Sequence, residues 1–397
     1  MAACRRRTAT QAEPVACRVS SPTVELTQAL IQAASPSGAE RPAADVLIAA
    51  FEAYGFDEAY LDDAGNAIGI LNGRSDGPTV MMNGHIDTVP TGDPDLWPHP
   101  PLSGALADGR VWGRGASDMK GSLAAMTVAT AGLKGRHAGQ LIVSGVVQEE
   151  VGGLGARHLA ATLPYDVVIL GEPSKLRFKT GHRGRVEVHV RFPGAIAHAA
   201  RPELGRNALT KAARFVTALD ALTLPERDGF GVSTATPTQL VTYPQGGANV
   251  VPGEATLTVD YRNVPGDSMD DVLARLAALD PDAEVTVLNE EGVSESGLVR
   301  MDYPRMAPAY ETPPGEMLDR SRHVVKQTLH DLDVPWHEDV WWFMTDAPHL
   351  ASNGAPVLGF GPGEEEVAHT TRESVKVDAL ESAARVYGAW AQDLLGG

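Results

Sequence analysis

Two histidines and a run of carboxylates recur in short, glycine-bearing segments of this chain. The segments are G-H-I-D-T-V-P (84–90), G-R-G-A-S-D-M-K-G (113–121), Q-E-E-V-G-G (148–153), L-G-E-P-S (170–174) and, much later, G-P-G-E-E-E-V-A-H-T-T-R-E (361–373). Imidazole and carboxylate together suit borderline divalent ions, and a carboxylate left unligated beside such ions can move protons. Taken singly, no segment decides anything. A lone His85 among twelve histidines reads as an ordinary surface or core residue, and Glu149-Glu150 alone reads as a solvated acidic pair. Gly113-x-Gly115 has the outline of a nucleotide loop, but Asp118 stands where a small residue is needed and would repel a pyrophosphate. The Gly-Lys-Ser/Thr of a phosphate-binding loop is missing as well.

What unites the segments is their place. Ala67–Leu71, Thr79–Asn83, Gln140–Val147, Asp166–Leu170 and Pro356–Phe360 read as strands. Thr23–Ala34, Glu40–Tyr54, Lys120–Leu133, Leu154–Leu163, Glu316–Leu332 and Val377–Leu394 read as helices, with Gly55 closing the second. Each of the first four chemical segments is read as ending a buried strand or opening the loop after it, and the fifth as following the late strand, where open α/β sheets build their sites. Alternating strands and helices imply an α/β domain with a mostly parallel sheet. Between them Arg185–Phe192, Asn207–Leu222, Gln239–Tyr243, Ala255–Tyr261, Ser268–Leu279 and Glu284–Leu288 follow the order β-α-β-β-α-β, the ferredoxin-like pattern. The expected organisation is a catalytic domain in two pieces, 21–179 and 296–397, an inserted α+β domain at 180–295, and a disordered tail at 1–20.

Composition narrows the partners. Of 397 residues, 33 are Lys or Arg and 51 are Asp or Glu, a net charge of −18 that would repel nucleic acid and anionic membranes. The apolar runs are too short to span a bilayer. Both cysteines, Cys4 and Cys17, lie near the N-terminus, so neither a disulfide framework nor a cysteine metal site serves the core. The basic start lacks the apolar stretch of a signal peptide, and a cytoplasmic location is the expectation.

The segments, in this order and spacing from about residue 22 to 394, resemble the co-catalytic zinc amidohydrolase family of acetylornithine deacetylase, succinyl-diaminopimelate desuccinylase, aminoacylase and glutamate carboxypeptidase. The resemblance implies two divalent ions, zinc first, with cobalt or manganese also accommodated. His85 would bind one ion, Asp118 would bridge both, Glu172 would complete the first, and Glu150 with His369 would hold the second. Asp87 would orient the imidazole of His85, and Glu149 would be the general base. A cis peptide between Asp118 and Met119 is implied too.

In the inserted domain, A-H-A-A-R-P-E-L-G-R-N-A (197–208) resembles the family block whose histidine reaches into the partner's site across a homodimer interface. His198 would then polarise the substrate carbonyl, the alternative being a loop histidine that caps the next helix. G-G-A-N-V-V-P-G-E (246–254) and D-Y-R-N-V-P-G (260–266) match the blocks supplying Asn249 and Arg262. Arg262 would grip a substrate carboxylate, or else form a salt bridge at a strand edge.

W-W-F-M-T-D-A-P (341–348) is bulky where many relatives are glycine-rich, yet it places Thr345 and Asp346 at a helix start beside the substrate. Arg372 stands where relatives often have Asn. Glu172 favours relatives acting on acylated amino acids or as carboxypeptidases, since aminopeptidases and dipeptidases tend to carry Asp there. The resulting expectation is hydrolysis of a small N-acyl-L-amino acid. A carboxypeptidase or dipeptidase acting on a short peptide is the first alternative, and a metal-free binding protein on the same fold is the second.

Overall fold

The structure, a computed structural model, describes residues 21–396. The expected tail at 1–20 lies outside the described residues.

A nine-stranded sheet organises the larger unit, in the order Glu58–Leu61, Ala67–Asn72, Gln140–Val146, Thr79–His85, Val167–Leu170, Val357–Gly359, Phe178–His182 and Tyr310–Glu311, with Glu338–Trp341 also pairing with Phe178–His182. The central strands, from Gln140–Val146 to Val357–Gly359, run parallel. They read as nearly unbroken apolar runs because both faces are covered. Val80, Met82, Leu141, Val143, Val167 and Ile169 face one core, built with the helices Arg41–Tyr54, Gly121–Gly132, Glu316–Asp331 and Val377–Leu394. Met81, Ile142, Val168 and Leu170 face the other, under the helices Leu154–Thr162 and Ala347–Leu350. This two-residue alternation fixes register, since a slip by one would exchange the faces.

The smaller unit is a five-stranded antiparallel sheet, Thr234–Tyr243, Glu254–Arg262, Arg185–Pro193 and Glu284–Val287, joined by Met306–Ala307 against Arg185–Val186. One face buries Val186, Val188, Val190 and Phe192 under the helices Ala208–Asp220 and Met269–Ala277. The helix starts are set locally. Asn207 accepts from the Thr210 amide at 3.1 Å, and Ser268 and Asp271 cap each other reciprocally. The α/β architecture with a ferredoxin-like insert is the one the sequence predicts.

Two local differences matter for the site. The strand predicted to end at Asn83 continues to His85. The helix predicted from Lys120 starts at Gly121, because Asp118 and Met119 leave helical geometry within Ala116–Lys120. In addition, the stretch after the last predicted strand of the insert forms a hairpin, Asn289–Val293 with Arg300–Pro304. Its Val299 and Met301 pack into the larger core, which ties down a segment whose alternation is too short to read. Among the described residues no helix is long and apolar enough to cross a membrane.

Candidate metal centre and active site

Four parallel strands deliver the chemistry at their carboxyl ends. His85 is the last residue of Thr79–His85, Glu149 and Glu150 follow Gln140–Val146, Glu172 follows Val167–Leu170, and the loop reaching His369 follows Val357–Gly359. Asp118 enters from the kinked turn before the helix Gly121–Gly132, and the Asp118–Met119 peptide is cis, as the resemblance implies.

The side chains converge on Asp118. Its Oδ1 lies 2.9 Å from His85 Nε2 and its Oδ2 lies 3.2 Å from His369 Nε2, which also meets Glu150 Oε1 at 2.9 Å. Ligand atoms of His85, Asp118 and Glu172 lie within 4.8 Å of one another, and so do those of Asp118, Glu150 and His369. All five residues singled out as ligands are therefore brought together, with Asp118 common to both groups.

Other groups hold this arrangement. His85 Nδ1 meets the backbone carbonyl of Asp87 at 2.9 Å, whereas the Asp87 carboxylate is 3.5 Å away. That carboxylate instead accepts from the backbone amides of Glu149 at 3.1 Å and Glu150 at 3.2 Å, and from Ser37 Oγ at 2.7 Å. The carboxylate thus positions the adjacent glutamates, while the backbone carbonyl of the same residue meets the histidine. Glu373, fully buried and paired with Arg114, does the same for Asp118, accepting from the amides of Ser117 and Asp118 at 3.1 Å each. Gly361 and Gly363 let the late loop close in. A Cβ on Gly361 would stand 2.3 Å from the Glu172 carbonyl, and one on Gly363 would stand 2.2 Å from that of Ser117. Gln148 and His369 both take left-handed backbone, at φ of 58° and 61°. Non-glycine residues adopt it at a cost, and such positions gather at functional sites.

The electrostatics test whether cations belong here. Burial, with the charges of Glu172 and Asp346 added, pushes Glu149 well above the usual carboxylate range. Burial and the charge of Asp118 do the same to Glu172, and burial also raises Glu150. Asp118 stays well below that range in spite of burial, because His369 and His85 bond to it. Asp118 and Glu150 in turn lift His369 to about 10. A buried carboxylate cluster of this kind is self-repelling unless positive charge enters it. Two imidazoles and three carboxylates, one of them shared, are a donor set that fits a pair of divalent ions.

A cavity of about 290 Å³ opens beside this cluster, lined by Glu149 and Glu150 on one side and by Thr345, Asp346 and His349 on another. Thr345 is buried, and its Oγ1 accepts from the Ala347 amide at 3.1 Å at the start of the helix Ala347–Leu350, with Asp346 as the residue before the first turn. Arg185 of the smaller sheet also lines it, with Tyr303 and Arg305 at the end of the hairpin.

The three residues singled out in the insert lie elsewhere. His198 is exposed, its strand pairing with Val250–Val251, and its Nδ1 accepts from the Ala200 amide at 3.0 Å. Asn249 lies next to it, its carbonyl accepting from the Ala199 amide at 2.8 Å. Neither lines the cavity of its own chain. Arg262 does not line it either: its Nε and a terminal nitrogen meet the two oxygens of Asp260 at 2.6 and 3.3 Å. The strand-edge salt bridge weighed as the alternative is therefore what this structure contains.

Sequence reasoning missed Glu373, which closes the fifth segment and could have been found there, and His349, which directly follows the segment 341–348. It also missed the cavity roles of Arg185, Tyr303 and Arg305, which depend on how the two sheets face each other.

The family described as Peptidase family M20/M25/M40 matches residues 81–393 of the chain. Among solved structures the fold is similar to that of aminopeptidase PepT from Bacillus cereus ATCC 10987, at 22% identity and a TM-score of 0.73, covering 94% of this chain and 98% of that one. It is similar to an M20 family metallo-carboxypeptidase from Sulfolobus solfataricus at 16% identity and a TM-score of 0.72, covering 94% and 99%. It is also similar to the YXEP protein of Bacillus subtilis, described as a dinuclear metal binding peptidase, at 13% identity and a TM-score of 0.69, covering 94% and 97%.

Proposed function

The chain belongs to the peptidase family M20/M25/M40, and is thereby a metal-dependent hydrolase; we propose that it cleaves the amide bond of an N-acyl-L-amino acid, releasing a carboxylate and the free amino acid. The observation that carries the hydrolytic reading is Asp118, whose two oxygens meet the imidazoles of two separate donor groups while the carboxylate of Glu149 stands beside them with no hydrogen bond of its own among the described residues. Glu in place of Asp at position 172 supports an acylated substrate.

His85, Asp118 and Glu172 would hold one ion, and Asp118, Glu150 and His369 the other. When bound, two divalent ions, zinc first and cobalt or manganese next, would polarise the scissile carbonyl and acidify the attacking water. Glu149 takes the proton from that water as its oxygen bonds to the carbonyl carbon. The same proton passes to the amide nitrogen as the C–N bond breaks, so one water is consumed and an acid and an amine leave. Burial raises the affinity of Glu149 for that proton, which suits it to the first transfer.

The reading extends to a homodimer through the 180–295 insert. Strand Thr234–Tyr243 is an edge of its sheet and leaves Leu240, Val241 and Tyr243 exposed, a surface suited to isologous pairing. The partner's His198 would then reach the substrate carbonyl, which accounts for His198 lying outside the cavity of its own chain. Arg262 would grip the substrate carboxylate by exchanging Asp260 for it.

Short-peptide hydrolysis is the second reading, favoured by the likeness to PepT and to the Sulfolobus carboxypeptidase. Zinc-loaded protein assayed on N-acetyl-L-ornithine and on Ala-Ala separates the two. An N-acyl preference of tenfold or more in kcat/KM supports the first reading, and the reverse preference assigns a peptidase.

A further inference from the structure

The lining of the cavity beside the metal ligands includes two polar residues, Asp346 and His349, whose side chains make no hydrogen bond among the described residues. Asp346 precedes the helix Ala347–Leu350 but makes no capping bond, because Thr345 takes the Ala347 amide instead. Asp346 is only 2% exposed, and its Oδ2 is buried without a partner. His349, one turn further and on the same wall, makes no hydrogen bond with its ring among the described residues. Gly153, at φ of 75°, makes room for both: a Cβ there would stand 2.6 Å from Asp346 Oδ1 and 2.7 Å from His349 Cδ2.

Among the nearby arginines only Arg157 acts on Asp346, through its charge and without a hydrogen bond to it. Arg157 Nε donates to the Gly152 carbonyl at 3.1 Å, and its guanidinium stacks on Tyr303 at 4.6 Å. Arg185 pairs with Asp260 at 2.8 Å and Glu187 at 3.2 Å, and Arg305 pairs with Glu187 and Glu290 at 3.3 Å each. A buried carboxylate oxygen without a protein donor is costly, and in folded proteins water, an ion or a ligand meets it.

We propose that Asp346 and His349 receive a protonated amine of the substrate, so that the enzyme selects amides carrying an ammonium group close to the scissile bond. The inference rests on the amide-hydrolase reading and narrows its substrate class. A carboxylate and an imidazole lone pair are two acceptors on one wall, matched to a group with several N–H donors. Burial supports this by pushing His349 down to about 3, which keeps its ring neutral and able to accept. An apolar or anionic group in the same place would leave Asp346 unpaired or repelled. The ammonium can come from an ornithine- or lysine-like side chain or from the free N-terminus of a peptide.

The test compares two matched pairs on zinc-loaded enzyme: N-acetyl-L-ornithine against N-acetyl-L-norvaline, and Ala-Ala against its N-acetyl form. The amine-bearing member of one pair is expected to lead in kcat/KM by about ten- to a hundredfold, the worth of a hydrogen bond to a charged group. The pair that shows the difference identifies the source of the amine. In Asp346→Asn and His349→Gln the ratio should fall to threefold or less, with the loss carried by KM of the amine-bearing substrate. Calorimetry on Glu149→Gln protein reads binding without turnover, and the same preference is expected there. Ratios below threefold in both pairs and both assays, or a preference that persists in Asp346→Asn, would overturn the inference. If no substrate is hydrolysed, the amide-hydrolase reading fails, while the calorimetric preference still decides the role of Asp346.

Discussion

Replacing Asp87 by Asn isolates the most heavily used support of the site. Three donors converge on this fully buried carboxylate: Ser37 Oγ at 2.7 Å and the amides of Glu149 and Glu150 at 3.1 and 3.2 Å. An Asn side chain has one acceptor oxygen, so its NH₂ must face one of those donors. At least one hydrogen bond to a charged group is lost, worth about 1.5–3 kcal/mol, or about ten- to a hundredfold in an equilibrium constant. The Asp87 backbone carbonyl that meets His85 Nδ1 is retained, so the loss falls on the 149–150 peptide. Chelator-competition titration with zinc should show one ion held about ten- to a hundredfold more weakly, and kcat at saturating zinc should fall as Glu149 loses its orientation. Ser37→Ala, which spares both amide bonds, should cost under about threefold on the same assay. Affinity within twofold of the parent, with kcat unchanged, would refute the assignment.

Glu149→Gln should retain both ions by elemental analysis yet lose about a hundred- to ten-thousandfold in kcat, the usual worth of a positioned base. Glu150→Ala should lose an ion, and identical behaviour of the two variants would reverse their roles. Mixing inactive Glu149→Ala chains with inactive His198→Ala chains should restore activity once subunits exchange, and demonstrated exchange without activity would remove the cross-subunit role of His198. Burial pushes His182 down to about 4 from an ordinary value near 6.5. Between those values the unfolded chain binds the extra proton and the native state does not, so stability from this group is full above about pH 6.5 and is lost as pH falls toward 4. Denaturant melts of His182→Gln should therefore show a shallower loss over that window than the parent.

Most of the chemical segments can be located in the sequence because they follow an apolar run, and the resemblance assigns the ligands within them. Apolar runs such as Val80–Met82 and Val167–Leu170 can only be strands covered on both faces, and the polar residue after each run must sit at a sheet end. Ferredoxin-like order is legible for the same reason, since Val186, Val188, Val190 and Phe192 alternate cleanly into one core. What escapes is set by distant packing. Arg262 could be singled out by its motif, and the structure selects the salt-bridge alternative by pairing it with Asp260, the first residue of that motif. Thr345 and Asp346 both read as a helix start, and only the structure shows that Thr345 accepts from the Ala347 amide while Asp346 does not. The hairpin Asn289–Pro304 is short and polar, held by Val299 and Met301 against a core formed by residues far away in the chain.

The central claim is that Asp118 serves two metal ions, and metal content measured chain by chain tests it most directly. Parent protein loaded with zinc and freed of excess should carry two ions per chain, Glu172→Ala and His369→Ala about one each, and Asp118→Ala fewer than either single-site variant. Chelation should abolish activity, and zinc or cobalt should restore it. An Asp118→Ala chain that keeps two ions, or a stripped parent that hydrolyses amides at the full rate, would contradict the account.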